Sequence, residues 1–262
     1  MTYRDLVGIP DASKANVNSL AVNDPDAADL ATHAASTAAH NLGATWEEKY
    51  VARGLSRSGL TVGQGGVLFE EFTDVARWVK SPPGGTLFTA MTTLPGGVAQ
   101  LAPAAGVTSI YYSGTTGIGP TTICLGNGRF YVACRVAMGA APPADGAAVA
   151  GVFAVGGAGS YCVVGYEGAF DALHYCAMIR NGINVAEAVA STVVVDLNFH
   201  DLEVWSDATN YYLSVDNETP VVLVPAHPPV VDLFPYIRVH AGAAAGINTR
   251  FDKLLYVYPQ AA

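Results

Sequence analysis

Apolar and polar residues alternate along most of the chain after residue 64. In RFYVACRV (129–136) every second residue shares one face, and the more apolar face holds Phe130, Val132, Cys134 and Val136. HDLEVW (200–205) alternates in the same way, SDATN supplies a turn, and YYLSVD (211–216) returns as the antiparallel partner. About a dozen such segments, roughly 8–12 residues apart, predict an all-β sandwich or barrel.

Residues 1–64 differ, because they hold few large apolar side chains. Asp24 as N-cap and Pro25 at the first helical position predict a helix that runs to about His40. Its apolar face is mostly alanine, so it needs a partner against which to pack. A short helix and a glycine-rich linker are expected in residues 44–64.

The predicted organisation is therefore an N-terminal arm, mostly helical or extended, over residues 1–64, and a β domain over residues 65–262. The arm is expected to dock on another surface, since it lacks the apolar side chains for a core of its own.

The charge balance excludes some partners. The net charge is −9, and the 13 Lys and Arg residues are scattered singly, which argues against nucleic acid and anionic membranes. The first residues, MTYRDLVGIPD, lack the apolar run of a signal peptide. The longest uncharged apolar segment (146–166) is interrupted by GGAGS, so it predicts two buried strands in a soluble protein without membrane insertion.

Cysteine spacing does not indicate a metal site. Cys124, Cys134, Cys162 and Cys176 form no CxxC or CxxH pattern, and no metal or cofactor is expected. The simplest interpretation is four small buried hydrophobic residues. A Cys124–Cys134 or Cys162–Cys176 bridge is the alternative.

Four segments together resemble the concanavalin-A-like lectin/glucanase jelly roll. They are LFEEFTDVARW (68–78), RFYVACRVAM (129–138), FHDLEVWSDATNYYLSVDNETPVVL (199–223) and RFDKLLYVYP (250–259). The resemblance covers about residues 65–262 and implies an antiparallel β-sandwich. It is closest to the versions found in bacteriophage virion proteins, in which an N-terminal attachment arm precedes the jelly roll.

The glucanase motif of this fold, E-x-D-x-x-E on one strand, is absent from the sequence. Glu70, Glu71 and Asp74 come closest, but their spacing is wrong. The sequence therefore predicts no catalytic residues and no enzyme activity.

A glycan-binding face is the best candidate site. Asp201 and Glu203 share one face of their predicted strand, and Trp205 continues it. Carboxylates accept hydrogen bonds from hydroxyl groups, and an indole stacks on the apolar face of a sugar. Tyr212 on the partner strand is expected nearby. The alternative is a solvated outer face with Trp205 packed beneath a loop.

An assembly stripe is predicted on the N-terminal helix, where Leu30, His33, Thr37 and His40 repeat at 3, 4, 3 spacing. His33 and His40 lie about 10.5 Å apart along the helix axis, too far for one metal ion. The stripe is expected either to form layers in a homotrimer or to rest on a neighbouring surface.

Three functions follow from these patterns. The first is a non-enzymatic virion structural protein, either a capsid decoration (cement) protein or a fibre-like appendage, that is assembled in the host cytoplasm. Its expected partners are further copies of itself and a major capsid or tail protein. The second is a lectin-type module that recognises glycans. The third is a glycoside hydrolase with Asp201 and Glu203 as an atypical acid pair.

Overall fold

The computed structural model describes residues 46–61, 65–72, 78–81, 89–90, 98–113, 124–125, 128–154, 159–182, 184–229 and 232–259. The chain divides into two compact units, residues 1–49 and 50–262. The predicted helix over residues 24–40 lies outside the described residues, as do Leu30, His33, Thr37 and His40. The division of the chain between residues 64 and 65 stays a prediction.

One helix and sixteen strands make up the described part of the chain. They are α1 (Trp46–Ser58), β1 (Gly65–Glu70), β2 (Trp78–Ser81), β3 (Thr89–Ala90), β4 (Ala99–Leu101), β5 (Thr108–Ser113), β6 (Cys124–Leu125), β7 (Arg129–Met138), β8 (Ala147–Phe153), β9 (Tyr161–Glu167), β10 (Asp171–Arg180), β11 (Glu187–Val194), β12 (His200–Asp207), β13 (Tyr211–Val215), β14 (Val221–Leu223), β15 (Asp232–His240) and β16 (Thr249–Pro259).

The strands form two eight-stranded sheets. Sheet A has the order β14-β13-β12-β7-β16-β4-β3, and β1 also pairs with β16. Sheet B has the order β11-β10-β9-β8-β15-β5-β2, and β6 also pairs with β15. Each of these pairings is antiparallel. The predicted all-β architecture is confirmed.

The core lies between the inner faces of the two sheets. Sheet A contributes the apolar positions predicted from alternation, Phe130, Val132, Cys134 and Val136, each at most 1% exposed. Sheet B contributes Val164, Tyr166 and Tyr175, each 0% exposed. Because every second side chain of a strand points inward, the intervening residues form two outer faces, where candidate sites are found.

The predicted hairpin of residues 200–216 is confirmed as β12 and β13. Trp205 lies opposite Tyr212 in this hairpin, and Glu203 lies opposite Ser214. On the other side of β12, Trp205 lies opposite Tyr131 of β7.

Neither cysteine bridge is present, because Cys134, Cys162 and Cys176 are buried and form no disulfide. Cys162 points into the core between the sheets, whereas Cys176 belongs to a cluster on the outer face of sheet B. These two thiols therefore lie on opposite faces of one sheet. The uncharged segment 146–166 contributes β8 and β9, and none of the helices in the described ranges is long and apolar enough to cross a bilayer.

Candidate functional site

The four residues of the predicted glycan face lie together on the outer face of sheet A. Asp201, Glu203 and Trp205 follow one another at alternate positions of β12, and Tyr212 lies beside Trp205 on β13. The rings of Trp205 and Tyr212 are stacked, with centroids 5.0 Å apart and planes inclined by 9°.

Helix α1, from Tyr50 onward, covers this face. The side chain of Glu203 is 0% exposed and accepts hydrogen bonds from Arg53 Nη1 at 2.7 Å and Arg57 Nη1 at 2.5 Å. It also accepts a hydrogen bond from the hydroxyl of Tyr131 at 2.5 Å. Asp201 accepts one from the hydroxyl of Tyr50 at 2.9 Å.

The indole of Trp205 is covered in the same way. The guanidinium carbon of Arg57 lies 4.2 Å from the ring centroid of Trp205, and Trp205 is only 4% exposed. A saccharide can therefore reach Glu203 and the indole only if α1 leaves this face. The role of these residues in glycan binding stays a prediction.

The sequence of α1 explains its close approach to sheet A. A Cβ atom at Gly54 would lie 2.6 Å from Cδ1 of Tyr131, so only glycine fits at this point of the helix. Gly59, at φ 68°, follows the last helical residue. The guanidinium of Arg129 donates hydrogen bonds to the carbonyls of Ser58 and Gly59 at the end of the helix.

Burial and charge set the pKa values beneath α1. Burial alone would lower the pKa of Arg53, but the contact with Glu203 outweighs it and raises that pKa. Burial, reinforced by the charge of Glu203, raises the pKa of the Tyr131 hydroxyl. Arg53 therefore stays positively charged and the Tyr131 hydroxyl stays protonated. Both contact Glu203, and α1 covers the Glu203 side chain so that a substrate has no room beside it.

Sheet B carries a second candidate site on its outer face, where three aromatic rings stand in a row. The rings of Tyr161 and Phe153 are stacked, with centroids 6.4 Å apart and planes inclined by 11°. Phe153 stacks in turn on Tyr236, at 4.8 Å and 15°. Tyr161 and Phe153 are partly exposed, whereas Tyr236 is only 3% exposed, so the first two rings offer surface at which a sugar can stack.

Two carboxylates close one end of this face. Glu167 is the last residue of β9 and lies directly opposite Asp171, the first residue of β10. Directly opposed residues of antiparallel strands share one face, with Cβ atoms about 4.5–5.5 Å apart. Glu167 forms an ion pair with Arg238 of β15, and its side chain is 13% exposed.

The two carboxylates have opposite pKa shifts. Burial raises the pKa of Glu167, and the charges of Arg238 and His240 only partly oppose that effect. Asp171 accepts hydrogen bonds from the backbone N–H groups of Leu173 and His174 and from the His174 ring, which lower its pKa. Glu167 is therefore the better proton donor, and Asp171 stays ionised.

Sequence reasoning missed this pair because the two acids have no motif spacing and face each other only across a turn. The signal was available in YEGAFD (166–171), where an acid ends one alternating segment and another acid begins the next. Of the acids considered near the opening strand, Glu70 accepts hydrogen bonds from the Phe72 N–H and the Trp78 indole, and it is buried.

A third cluster lies at the start of β12. His200 is held between two carboxylates, with Nε2 at 2.8 Å from Asp196 and Nδ1 at 2.5 Å from Asp216. Burial opposes protonation of His200, but the two carboxylates outweigh it and raise the pKa of the imidazole. Across the described ranges, no group of three or more His, Cys, Asp or Glu side chains is arranged to hold a metal ion.

Solved structures share this architecture. A native glycosidic hydrolase aligns over 76% of this chain and 97% of its own, with TM-score 0.53 and 11% identity. The Bacillus licheniformis beta-glucanase aligns over 73% and 97%, with TM-score 0.53 and 12% identity. A carbohydrate esterase from the Shiga toxin-encoding bacteriophage phi24B aligns over 74% and 100%, with TM-score 0.51 and 13% identity. No protein-family model matches the chain, and no curated protein matches it.

These structures contradict one expectation from the sequence. The absence of E-x-D-x-x-E predicted a protein without enzyme activity, whereas the similar structures are a hydrolase, a glucanase and an esterase. A motif tests only one arrangement of carboxylates on one strand, and it cannot detect a pair that spans two strands. The chain has the concanavalin-A-like jelly-roll fold, which glycoside hydrolases and lectins share.

Proposed function

We propose that this protein is a glycoside hydrolase that binds a saccharide on the outer face of sheet B. The observation that carries the proposal is the pair of Glu167 and Asp171, which face each other across two strands and have opposite pKa shifts. Environments that separate the pKa values of two neighbouring carboxyl groups assign the acid and the base.

Each carboxyl group has a defined step. Glu167 donates its proton to the glycosidic oxygen as the bond between that oxygen and the anomeric carbon breaks. As that bond breaks, Asp171 either attacks the anomeric carbon, and water that gives its proton to Glu167 then releases the sugar from Asp171, or Asp171 removes a proton from the water that attacks the anomeric carbon. These alternatives give retained and inverted products respectively, so NMR of the first-formed anomer distinguishes them.

Arg238 is a positioning residue in this scheme. Its Nη2 donates a hydrogen bond to Glu167 Oε2, which holds the carboxyl group at the end of the sheet in either protonation state. The partly exposed rings of Tyr161 and Phe153 supply the rest of the binding surface, since Tyr161 begins β9 and Glu167 ends it. At a strand rise of about 3.3 Å per residue, the face extends about 20 Å from Tyr161 to Glu167.

Two further facts support this assignment over the acid pair predicted from sequence. Glu203 is 0% exposed beneath α1, whereas Glu167 and Asp171 retain exposed side-chain surface. Several structures with this fold are named as enzymes that act on glycosidic bonds, including a prokaryotic beta-1,3-1,4-glucanase (lichenase) from a mouse hindgut metagenome.

The test is the release of reducing ends from a panel of neutral and acidic polysaccharides. We expect Glu167→Gln and Asp171→Asn to lower kcat by about 100-fold or more, which is the usual contribution of a positioned acid or base. Glu71→Gln is the matched control, since Glu71 is an exposed acid paired with Lys253. Full activity in both site variants would refute the assignment, and tight binding without products would indicate a lectin-type module instead.

We propose, as a second and compatible assignment, that the protein is a carbohydrate-active appendage of a bacteriophage virion. The phage-encoded carbohydrate esterase with this fold supports it. In this proposal the N-terminal residues attach the protein to a capsid or tail protein, and the protein associates as a homotrimer. Neighbouring capsid, portal or tail genes are the expected finding, and their absence together with a monomer in light scattering would refute it.

A further inference from the structure

One arginine lies at each end of this face. Arg180 of β10 is the register partner of Tyr161, whereas Arg238 of β15 lies opposite Val149 of β8 and forms an ion pair with Glu167. Burial raises the pKa of the Tyr161 hydroxyl, and the charges of Arg238 and Arg180 both oppose that rise. The strand register makes Arg180 the arginine beside Tyr161.

The donors of these arginines are not exhausted by their contacts within the protein. A guanidinium group carries five N–H donors. Arg180 donates from Nε to the carbonyl of Asn184 at 3.1 Å. Arg238 donates from Nη2 to Glu167, while its Nε is buried without a hydrogen-bond partner. Arg180 is partly exposed and thus keeps N–H groups that a ligand oxygen can use once it displaces water.

Charge is polarised along this face. The carboxylates of Glu167 and Asp171 lie at one end, where Arg238 pairs with Glu167, and Arg180 lies beside Tyr161 at the other end. The positive end stands out because the protein carries a net charge of −9. A guanidinium fork matches the paired oxygens of a carboxylate or sulfate, so this end favours an anionic group on the ligand.

We infer that the saccharide bound on the outer face of sheet B is anionic, with a carboxylate or sulfate ester held by Arg180 beside Tyr161. An adjoining sugar ring stacks on Phe153, and the saccharide continues toward Glu167. This inference rests on the proposed function, because it names the substrate class of the same face. Arg180 is a specificity residue, and it lies too far along the strand to take part in bond cleavage.

The test is affinity electrophoresis of the full chain in native gels that contain polygalacturonate, a sulfated galactan or a neutral β-glucan. We expect one of the anionic polymers to retard the protein and the neutral polymer to have little effect. Bulk charge would produce the opposite result, since an acidic protein is repelled by a polyanion. Comparison of the two anionic gels separates carboxylate from sulfate recognition.

Substitutions of Arg180 test whether this side chain binds the anionic group of the polymer. Arg180→Met is expected to raise the dissociation constant for the retarding polymer at least about tenfold, in line with the loss of a charge-assisted hydrogen bond. Arg180→Lys keeps the charge without the fork and is expected to recover part of the affinity. Lys253→Met removes a positive charge from sheet A and is the matched control, expected to behave as wild type.

Each contrary result has a separate meaning. If the neutral polymer is bound and cleaved as well as the anionic ones and Arg180→Met has no effect, the hydrolase assignment stands and the anionic inference is overturned. If an anionic polymer binds through Arg180 but Glu167→Gln turns substrate over normally, the anionic inference stands and the catalytic assignment fails. If none of the gels retards the protein, the anionic inference is overturned, and the reducing-end assay decides the hydrolase assignment separately.

Discussion

Replacement of Glu203 by alanine tests the contact between α1 and sheet A. Glu203 is 0% exposed and holds two arginines that are 23% and 21% exposed. Removing one partner of a buried ion pair costs about 3–5 kcal/mol, because the remaining charge is left uncompensated. Arg53 and Arg57 retain some solvent contact and can rehydrate, so we expect the lower end, about 3 kcal/mol.

Urea unfolding followed by tryptophan fluorescence measures this loss. At an m-value of about 3 kcal/mol per molar, the midpoint is expected to fall by about 1 M. Glu71→Ala is the control, since it breaks an ion pair in which Glu71 is 43% exposed, and it should cost less than about 1 kcal/mol.

A double-mutant cycle with Arg57→Met assigns the loss to the ion pair. The two changes are expected to be non-additive, because each removes the same contact. A cost below about 1 kcal/mol for Glu203→Ala, or strict additivity with Arg57→Met, would show that α1 is not held by Glu203.

Three further predictions concern the sandwich. His200 has a raised pKa, so its contribution to stability is present below about pH 6.5 and is lost as the pH rises through its folded-state value. Wild type should therefore lose more unfolding free energy than His200→Gln between about pH 6 and 9 in urea titrations, and parallel curves would contradict this. Gly165→Ala places a Cβ atom 2.1 Å from the carbonyl oxygen of Ala148, so thermal melting should show a loss of at least about 2 kcal/mol. Gly106→Ala, with nothing within 4 Å of its Cβ position, should cost only about 1 kcal/mol, and an equal cost would refute the steric argument. Burial raises the pKa of the Cys176 thiol to about 12, and Cys134 and Cys162 are also buried, so at most one thiol should react with Ellman's reagent in the folded protein, and reaction of two or more would refute this.

Alternation along the chain was sufficient to predict the sheets. Each strand side chain points either into the core or outward, so the alternating apolar positions of β7 identify a strand and its inner face. The turn between β12 and β13 identifies these two strands as an antiparallel pair. The same information placed Asp201, Glu203 and Trp205 on one outer face, which the structure confirms.

Local sequence could not predict what covers an outer face. Arg53 and Arg57 lie four residues apart, so they share one side of α1, yet their partner Glu203 is 146 residues or more along the chain. Such a contact depends on where α1 docks, and no spacing rule records that. Glu167 and Asp171 were missed for a related reason. Burial raises the pKa of Glu167, and hydrogen bonds from Leu173 and His174 lower the pKa of Asp171, and neither effect can be seen in the spacing of the two acids.

Hydrogen–deuterium exchange with and without a bound oligosaccharide tests most directly which outer face binds substrate. The inactive Glu167→Gln variant prevents cleavage during the measurement. We predict slower exchange in residues 166–174 and in β8 and β15 on binding, with α1 unchanged. Slower or faster exchange in α1 and β12, with residues 166–174 unchanged, would contradict the assignment and indicate that saccharide binds on the face of sheet A instead.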